Sequence, residues 1–193
     1  MKMLTAFIMG LIFFILSVDA MARPKEGVGI FIGVADHSSD TSTSGTNLSY
    51  DSDGTSFGVD FQIPLGDSTS FNLFFMDSSE DSKLFNEVFI ANATVANFIL
   101  GAQLRWWPTD LFFLGLHAGI YGQEIESTFA PEEGDGFGYG FAFGIEFELT
   151  EKYLFFAGGQ FDTVPGMDVL DGFSDTEMSG SRFHAGIRII LGN

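Results

Sequence analysis

The chain of 193 residues contains no cysteine. That excludes disulfide staples and a lipid-attachment cysteine, although an exported chain would meet conditions that permit disulfides. Cations are scarce too: 8 Lys and Arg stand against 26 Asp and Glu, for a formal charge of −18. Phosphate contacts draw on Lys and Arg, so a nucleic-acid partner is disfavoured. The same scarcity argues against a peripheral protein held on anionic lipid. Beyond residue 18, no apolar stretch approaches the roughly 20 residues that a membrane-crossing helix needs.

The one long apolar run lies at the start. Met1-Lys2-Met3 is short and positively charged, residues 4–18 are almost wholly apolar, and Ala20-Met21-Ala22 precedes Arg23. This is the charged region, apolar region and small-residue cleavage site of a secretory signal peptide. The expectation is a cleaved signal over residues 1–22 and a single exported domain over residues 23–193.

Phe and Gly are abundant, 24 of each, and the mean hydropathy is +0.24. Aromatic and acidic content rise together, so the two kinds of residue must occupy different zones. What recurs along the chain is alternation with period 2, the signature of strands. It predicts eight strands, over 27–35, 55–65, 69–76, 93–107, 111–121, 136–149, 153–162 and 181–191. In the second, Phe57, Val59, Phe61, Ile63 and Leu65 interleave with Gly58, Asp60, Gln62 and Pro64. In the sixth, Phe137, Tyr139, Phe141, Phe143, Ile145, Phe147 and Leu149 interleave with Gly138, Gly140, Ala142, Gly144, Glu146 and Glu148. Each strand carries one apolar face and one face of glycine, amides and charges.

The connections alternate as well. Gly66-Asp67-Ser68, Pro108-Thr109-Asp110 and Thr150-Glu151-Lys152 have tight-turn compositions. Between them lie the longer connections 36–54, 77–92, 122–135 and 163–180, of which the Ser/Thr/Asp-rich run 38–53 reads as a mobile loop. Long against short is the pattern of an up-and-down barrel with one rim outside and the other in the periplasm.

Alternation alone does not say which face points outward, and a soluble barrel would turn the apolar one in. Three features favour the inverted arrangement. The apolar face is continuous and aromatic, while the other is too glycine-rich to coat a soluble surface. That other face carries Asp60, Glu146, Glu148 and Asp162 against Arg105, Arg182 and Arg188, which can pair across a narrow interior. Trp106, Trp107 and Tyr153 stand beside the short turns, where an interfacial girdle belongs. The predicted fold is all-β: an eight-stranded antiparallel up-and-down transmembrane β-barrel.

In signal, strand number and loop alternation the chain resembles the small outer-membrane barrel families of Gram-negative bacteria: the OmpA transmembrane domain, OmpX and the opacity-type adhesins. The resemblance covers the whole mature chain and rests on pattern rather than on a specific motif. It implies an outer-membrane location, lipid and lipopolysaccharide as neighbours, the barrel-assembly machinery as a partner, and a monomer. One departure is the end, Ile190-Leu191-Gly192-Asn193, where such proteins usually finish on an aromatic residue.

Some barrels of this size modify lipid A by moving or removing an acyl chain, which takes a nucleophile, a base and an orienting acid. His184 near Ser181, posed with Asp162, is the candidate set. The plainer reading makes His117 and His184 interior fillers satisfied by carboxylates, and His37 beside Asp36 a solvated loop residue. The alternate glycines at 27, 29, 136, 138 and 140 lack a following helix and read as barrel wall, not as a phosphate loop. No catalytic, cofactor-binding or metal-ligating residue is assigned from spacing. The acidic connections carry Asp36, Asp40, Asp51, Asp53, Asp77, Glu80, Asp81, Glu87, Glu124, Glu126, Glu132, Glu133 and Asp135, with Asp168, Asp171, Asp175 and Glu177 beyond. Against them stands Lys83 alone. They are expected to keep the rim solvated, to meet a surface ligand, or to bind divalent cations weakly. Leu84, Phe85, Val88, Phe89 and Ile90 are too apolar for such a loop, and either extend the hairpin or form a docking patch. The functional expectation is a non-enzymatic surface barrel acting through four long acidic loops, with the lipid A-modifying enzyme as the alternative.

Overall fold

The computed structural model describes residues 24–43, 46–86, 89–127, 132–167 and 176–191. The expected signal peptide lies outside them. Eight strands follow one another: β1 (Gly27–Thr43), β2 (Thr46–Gly66), β3 (Thr69–Asn86), β4 (Phe89–Trp106), β5 (Phe112–Ser127), β6 (Glu132–Thr150), β7 (Tyr153–Met167) and β8 (Thr176–Ile190). Each pairs antiparallel with its neighbours in sequence, and β8 returns to β1, with Gly27 opposite Ile190 and Thr41 opposite Thr176. The sheet therefore has no free edge. In lipid, which offers backbone groups no hydrogen-bond partner, closure of this kind is one of only two workable spanning forms.

The two faces separate as the alternation predicts. Ile32 is 73% exposed and Leu116 70%, on the outside, while Gln62 and Arg188 are wholly buried within. Phe98, Leu100, Leu104 and Trp106 face out from β4, whereas Asn97, Ile99, Gln103 and Arg105 face in. A soluble domain would reverse this order. The apolar outer belt is a lipid-facing surface, and the barrel is transmembrane.

Many interior glycines serve as seats for rings. Phe74 lies against Gly101, where an added Cβ would stand 2.5 Å from the ring, and Phe113 lies against Gly144 at 2.6 Å. A bulky side chain on one strand thus needs a bare Cα on the next. An eight-stranded interior has room for few large groups, and this pairing packs them along the wall.

The strands run 15–21 residues, well past the roughly 9–11 needed to cross a bilayer. This corrects the expectation of long loops at 36–54, 77–92 and 122–135, most of which is paired strand. The run 38–53 is a hairpin in which Asp36 pairs with Asp53 and Asp40 with Ser49; only residues 44–45 lie outside the described set. The segment around 84–90 likewise extends a hairpin, with Leu84 opposite Ala91. Small polar residues sustain the ladder because their inward members bond one another inside the tube. Of the short turns, 66–69 and 150–153 are tight as expected, and Thr109 Oγ1 accepts the Phe112 N–H at 3.0 Å in the third.

Trp106 and Tyr153 are exposed at the short-turn rim, as a girdle requires. Trp107 is not. Its indole turns inward, donates to Ser70 Oγ at 3.4 Å, and packs on Phe113 with ring centroids 5.3 Å apart. Trp107 continues the inward series of Gln103 and Arg105, so the alternation itself turns it inward, where it helps close the mouth.

Candidate functional site

The interior carries three polar clusters stacked along the barrel. The lowest, near the short turns, centres on Asp60. Its Oδ2 accepts from Arg188 Nη2 at 2.5 Å, Asn72 Nδ2 at 3.1 Å and Arg105 Nη2 at 3.4 Å. Arg188 also binds Glu146, and Arg105 continues to Gln62 at 3.2 Å and Gln103 at 2.5 Å. Both guanidiniums lie over rings, Arg105 on Phe113 at 4.4 Å and Arg188 on Phe156 at 4.9 Å. Rings in these positions supply a cation–π contact as well as packing.

The second cluster centres on Asp162. One carboxylate oxygen accepts from His117 Nε2 at 2.6 Å, the Tyr121 hydroxyl at 2.7 Å and Gln160 Nε2 at 2.9 Å. The other binds Arg182. Three carboxylates (Asp60, Glu146, Asp162) and three guanidiniums are therefore matched within these two clusters.

A fourth buried carboxylate, Glu80, stands higher, in the third cluster. It accepts from His37 Nδ1 at 2.7 Å, Ser52 Oγ at 2.6 Å, Ser78 Oγ at 2.7 Å and Asn97 Nδ2 at 3.0 Å. On the outer face at this level stand Asp36, Ser38, Ser79 and Asp81 rather than aromatic residues, so the cluster lies above the lipid belt. Burial alone would push the Glu80 carboxyl up. The hydrogen bonds and nearby imidazole outweigh burial and bring it down to about 2. His37 is held below its ordinary value by burial and by the Arg182 charge, which together outweigh the pull of Glu80 and Asp36.

Asp60, Glu146, Asp162, Arg105, Arg182 and Arg188 all come together inside. Glu148 does not join them; it meets Lys25 at 2.7 Å at the short-turn rim. His117 is satisfied by a carboxylate as expected. His184 instead packs against Phe31, ring centroids 4.9 Å apart, and Phe156 at 6.1 Å. Ser181 alternates to the opposite face from His184, and Asp162 is engaged elsewhere, so the structure does not assemble that triad. His37, expected as a solvated loop residue, is wholly buried.

Sequence reasoning missed Glu80 and its donors because it ended the strands too early. The signal was present in the parity. His37 continues the inward series Phe31, Gly33 and Ala35, and Glu80 continues Phe74 and Met76. On the outer face the same extension brings Asp36 beside Asp53, Asp53 beside Asp81, and Glu124 beside Glu133. Among the described residues, no group of three His, Cys, Asp or Glu is placed to hold a metal ion.

No protein-family model matches the chain, and no curated protein matches its sequence. In three dimensions it is similar to several solved structures. Outer membrane protein OprG from Pseudomonas aeruginosa has a TM-score of 0.59 at 15% identity, over 91% of this chain and 100% of that one. Neisserial surface protein A gives 0.53 at 10% identity, over 85% and 97%. Ail, the attachment invasion locus protein of Yersinia pestis, solved with the heparin analogue sucrose octasulfate, gives 0.52 at 13% identity, over 85% and 99%. These likenesses show the fold: that of the small eight-stranded outer-membrane barrels.

Proposed function

We propose that this protein is a non-enzymatic barrel of the bacterial outer membrane, a sealed scaffold that carries acidic strand extensions above the lipid. The observation that supports it best is the interior, which among the described residues is occupied by matched ion pairs, rings and hydrogen-bonded amides. An eight-stranded interior so occupied favours a closed barrel over an aqueous channel, and its ion pairs commit those side chains to one another instead of to a substrate. The lipid A-modifying alternative loses its support with the separation of His184, Ser181 and Asp162.

The outward faces of the extensions are the surface available for interaction. Asp36, Asp51, Asp53, Asp81, Glu124 and Glu126 are exposed there. Three of the four arginines are buried in the barrel. A polyanion of the kind seen with Ail therefore meets the wrong sign of charge on this chain, and a cationic or cation-bridged partner suits it better. Lipopolysaccharide as neighbour, assembly by the barrel machinery and a monomeric state accompany this reading. Two assays on the refolded protein and its host test it: planar-bilayer conductance and lipid A acyl analysis with and without the chain. Background conductance and unchanged acylation are expected; a stable open channel or an altered acyl pattern contradicts the reading.

A further inference from the structure

The residues just before β1 do more than lead into it. Glu26 still belongs to the sheet, its carbonyl accepting the Leu191 N–H at 3.0 Å. Lys25 does not. Its carbonyl accepts from Gln62 Nε2 at 3.1 Å, and Gln62 is an inward, wholly buried residue of β2. Its ammonium meets Glu148 of β6 at 2.7 Å. Round the closed sheet β6 lies beyond β8 and β7 from β1. Glu148 shares the inward parity of Glu146, so the contact passes inside the rim and across the short-turn mouth. Gln62 also donates to Glu146 at 3.3 Å, which places Lys25 two hydrogen bonds from the Glu146–Arg188 ion pair. Although Gln62, Ser70, Glu146, Leu154 and Arg188 all stand at this end, none has exposed surface.

We propose that residues 24–26 form a strap that shuts the short-turn mouth, with Lys25 and Glu148 as its latch. The strap rests on the closed-barrel reading and adds to it a part that can move. Both latch side chains are about one-third exposed, 33% and 31%, and an ion pair in that setting is weak. The ladder beside it is continuous, with Gly27 opposite both Gln62 and Ile190. The latch therefore releases at far less cost than the sheet, and the strap swings on Glu26 while β1 stays paired. Closed, it screens the buried Arg188 and Glu146 from solvent at this end, while the Trp107 indole covers Ser70 from the β4 side. It also accounts for a Lys at position 25 in a chain with only 8 cations.

Thiol labelling of the refolded full barrel tests the strap. With no native cysteine, Ser70→Cys supplies one buried thiol a hydrogen bond away from Gln62, and Ser68→Cys an exposed reference in the adjoining turn. A charged thiol reagent is expected to react far more slowly at 70 than at 68. Lys25→Glu, which repels Glu148, is expected to speed the reaction at 70 by about tenfold and to leave that at 68 unchanged. Lys25→Glu combined with Glu148→Lys is expected to restore protection. A rate at 70 that ignores Lys25→Glu, or a charge swap that restores nothing, overturns the strap. Should Lys25→Glu fail to refold, Lys25→Met decides, since labelling at 70 no faster than in the unaltered chain contradicts the latch. Free labelling at 70 with background bilayer conductance defeats the strap alone, whereas a stable open channel defeats the closed barrel as well.

Discussion

Asp60 on β2 and Arg188 on β8 are 128 residues apart in the chain and 2.5 Å apart in the barrel. They meet across β1, which stands between their strands, because β1 presents glycine at both positions beneath them. A Cβ on Gly27 would come within 2.8 Å of Arg188 Cγ, and one on Gly29 within 3.1 Å of the Asp60 carboxyl carbon. The closing strands are thus tied by charge over a deliberately bare piece of wall.

Removing one member of such a buried set leaves the others uncompensated. Arg188→Met is expected to destabilise the barrel by about 3–5 kcal/mol, as breaking a buried ion pair does. Adding Glu146→Gln is expected to recover part of that loss. Urea unfolding in lipid vesicles reads both; equal stability of Arg188→Met and wild type would show that the cluster contributes nothing.

The ring seats lead to a second expectation. Gly101→Ala drives a methyl into the Phe74 ring and is expected to cost about 1–3 kcal/mol by overpacking. Shrinking the ring, in Gly101→Ala with Phe74→Leu, is expected to relieve part of it. A Gly101→Ala variant as stable as wild type in the same unfolding assay would mean that the ring has another place to go.

Acid is expected to weaken the strand extensions before the belt. Glu80 titrates at about 2 in the folded chain, below its ordinary 4.5. Its contribution is therefore complete above about pH 4.5 and is lost as pH falls through about 2. His37 is also lowered, from 6.5, so the unfolded chain binds that proton first and stability already declines below about 6.5. Both signs agree. Protection of the amides at residues 36–43 and 78–82, taken relative to their intrinsic exchange rates at each pH, is expected to fall between pH 7 and pH 2, with the upper part of that fall absent in His37→Gln. Uniform protection across the range would contradict the linkage.

On the lipid face, Leu100→Arg is expected to cost about 2–4 kcal/mol near mid-bilayer. Leu100 is 59% exposed in the middle of β4, on the apolar outer belt. Unchanged folding into bilayers would place that face elsewhere.

Much of this architecture was legible in advance, because one periodicity carries both strand and face. Phe57 to Leu65 against Gly58 to Gln62 states at once that a strand exists and which side is apolar. Mixed charge at Asp60, Arg105 and Arg188 then says which side is the interior. What escaped were the strand ends. Asp is a weak strand former and the run carries few apolar residues, so 36–54 looks like a loop until the partners of its inward residues are known. His37 and Glu80 lie 43 residues apart, and nothing local announces that they share a hydrogen bond. Trp107 escaped for a different reason: its nearness to a short turn suggests a girdle, although it shares the inward parity of Gln103 and Arg105. His184 was the interior histidine left least legible, because its place depends on the rings of Phe31 and Phe156 that flank it.

The inverted barrel, apolar outside and sealed inside, is tested most directly by where single labels meet lipid. Because the chain has no native cysteine, a fluorophore can be placed through Leu100→Cys, Leu116→Cys and Asp81→Cys and challenged with brominated lipid or aqueous iodide. The labels at 100 and 116 are expected to be quenched by lipid alone and the label at 81 by iodide alone. Iodide quenching at 100 and 116, with no effect of brominated lipid, would show that the apolar face does not meet the bilayer.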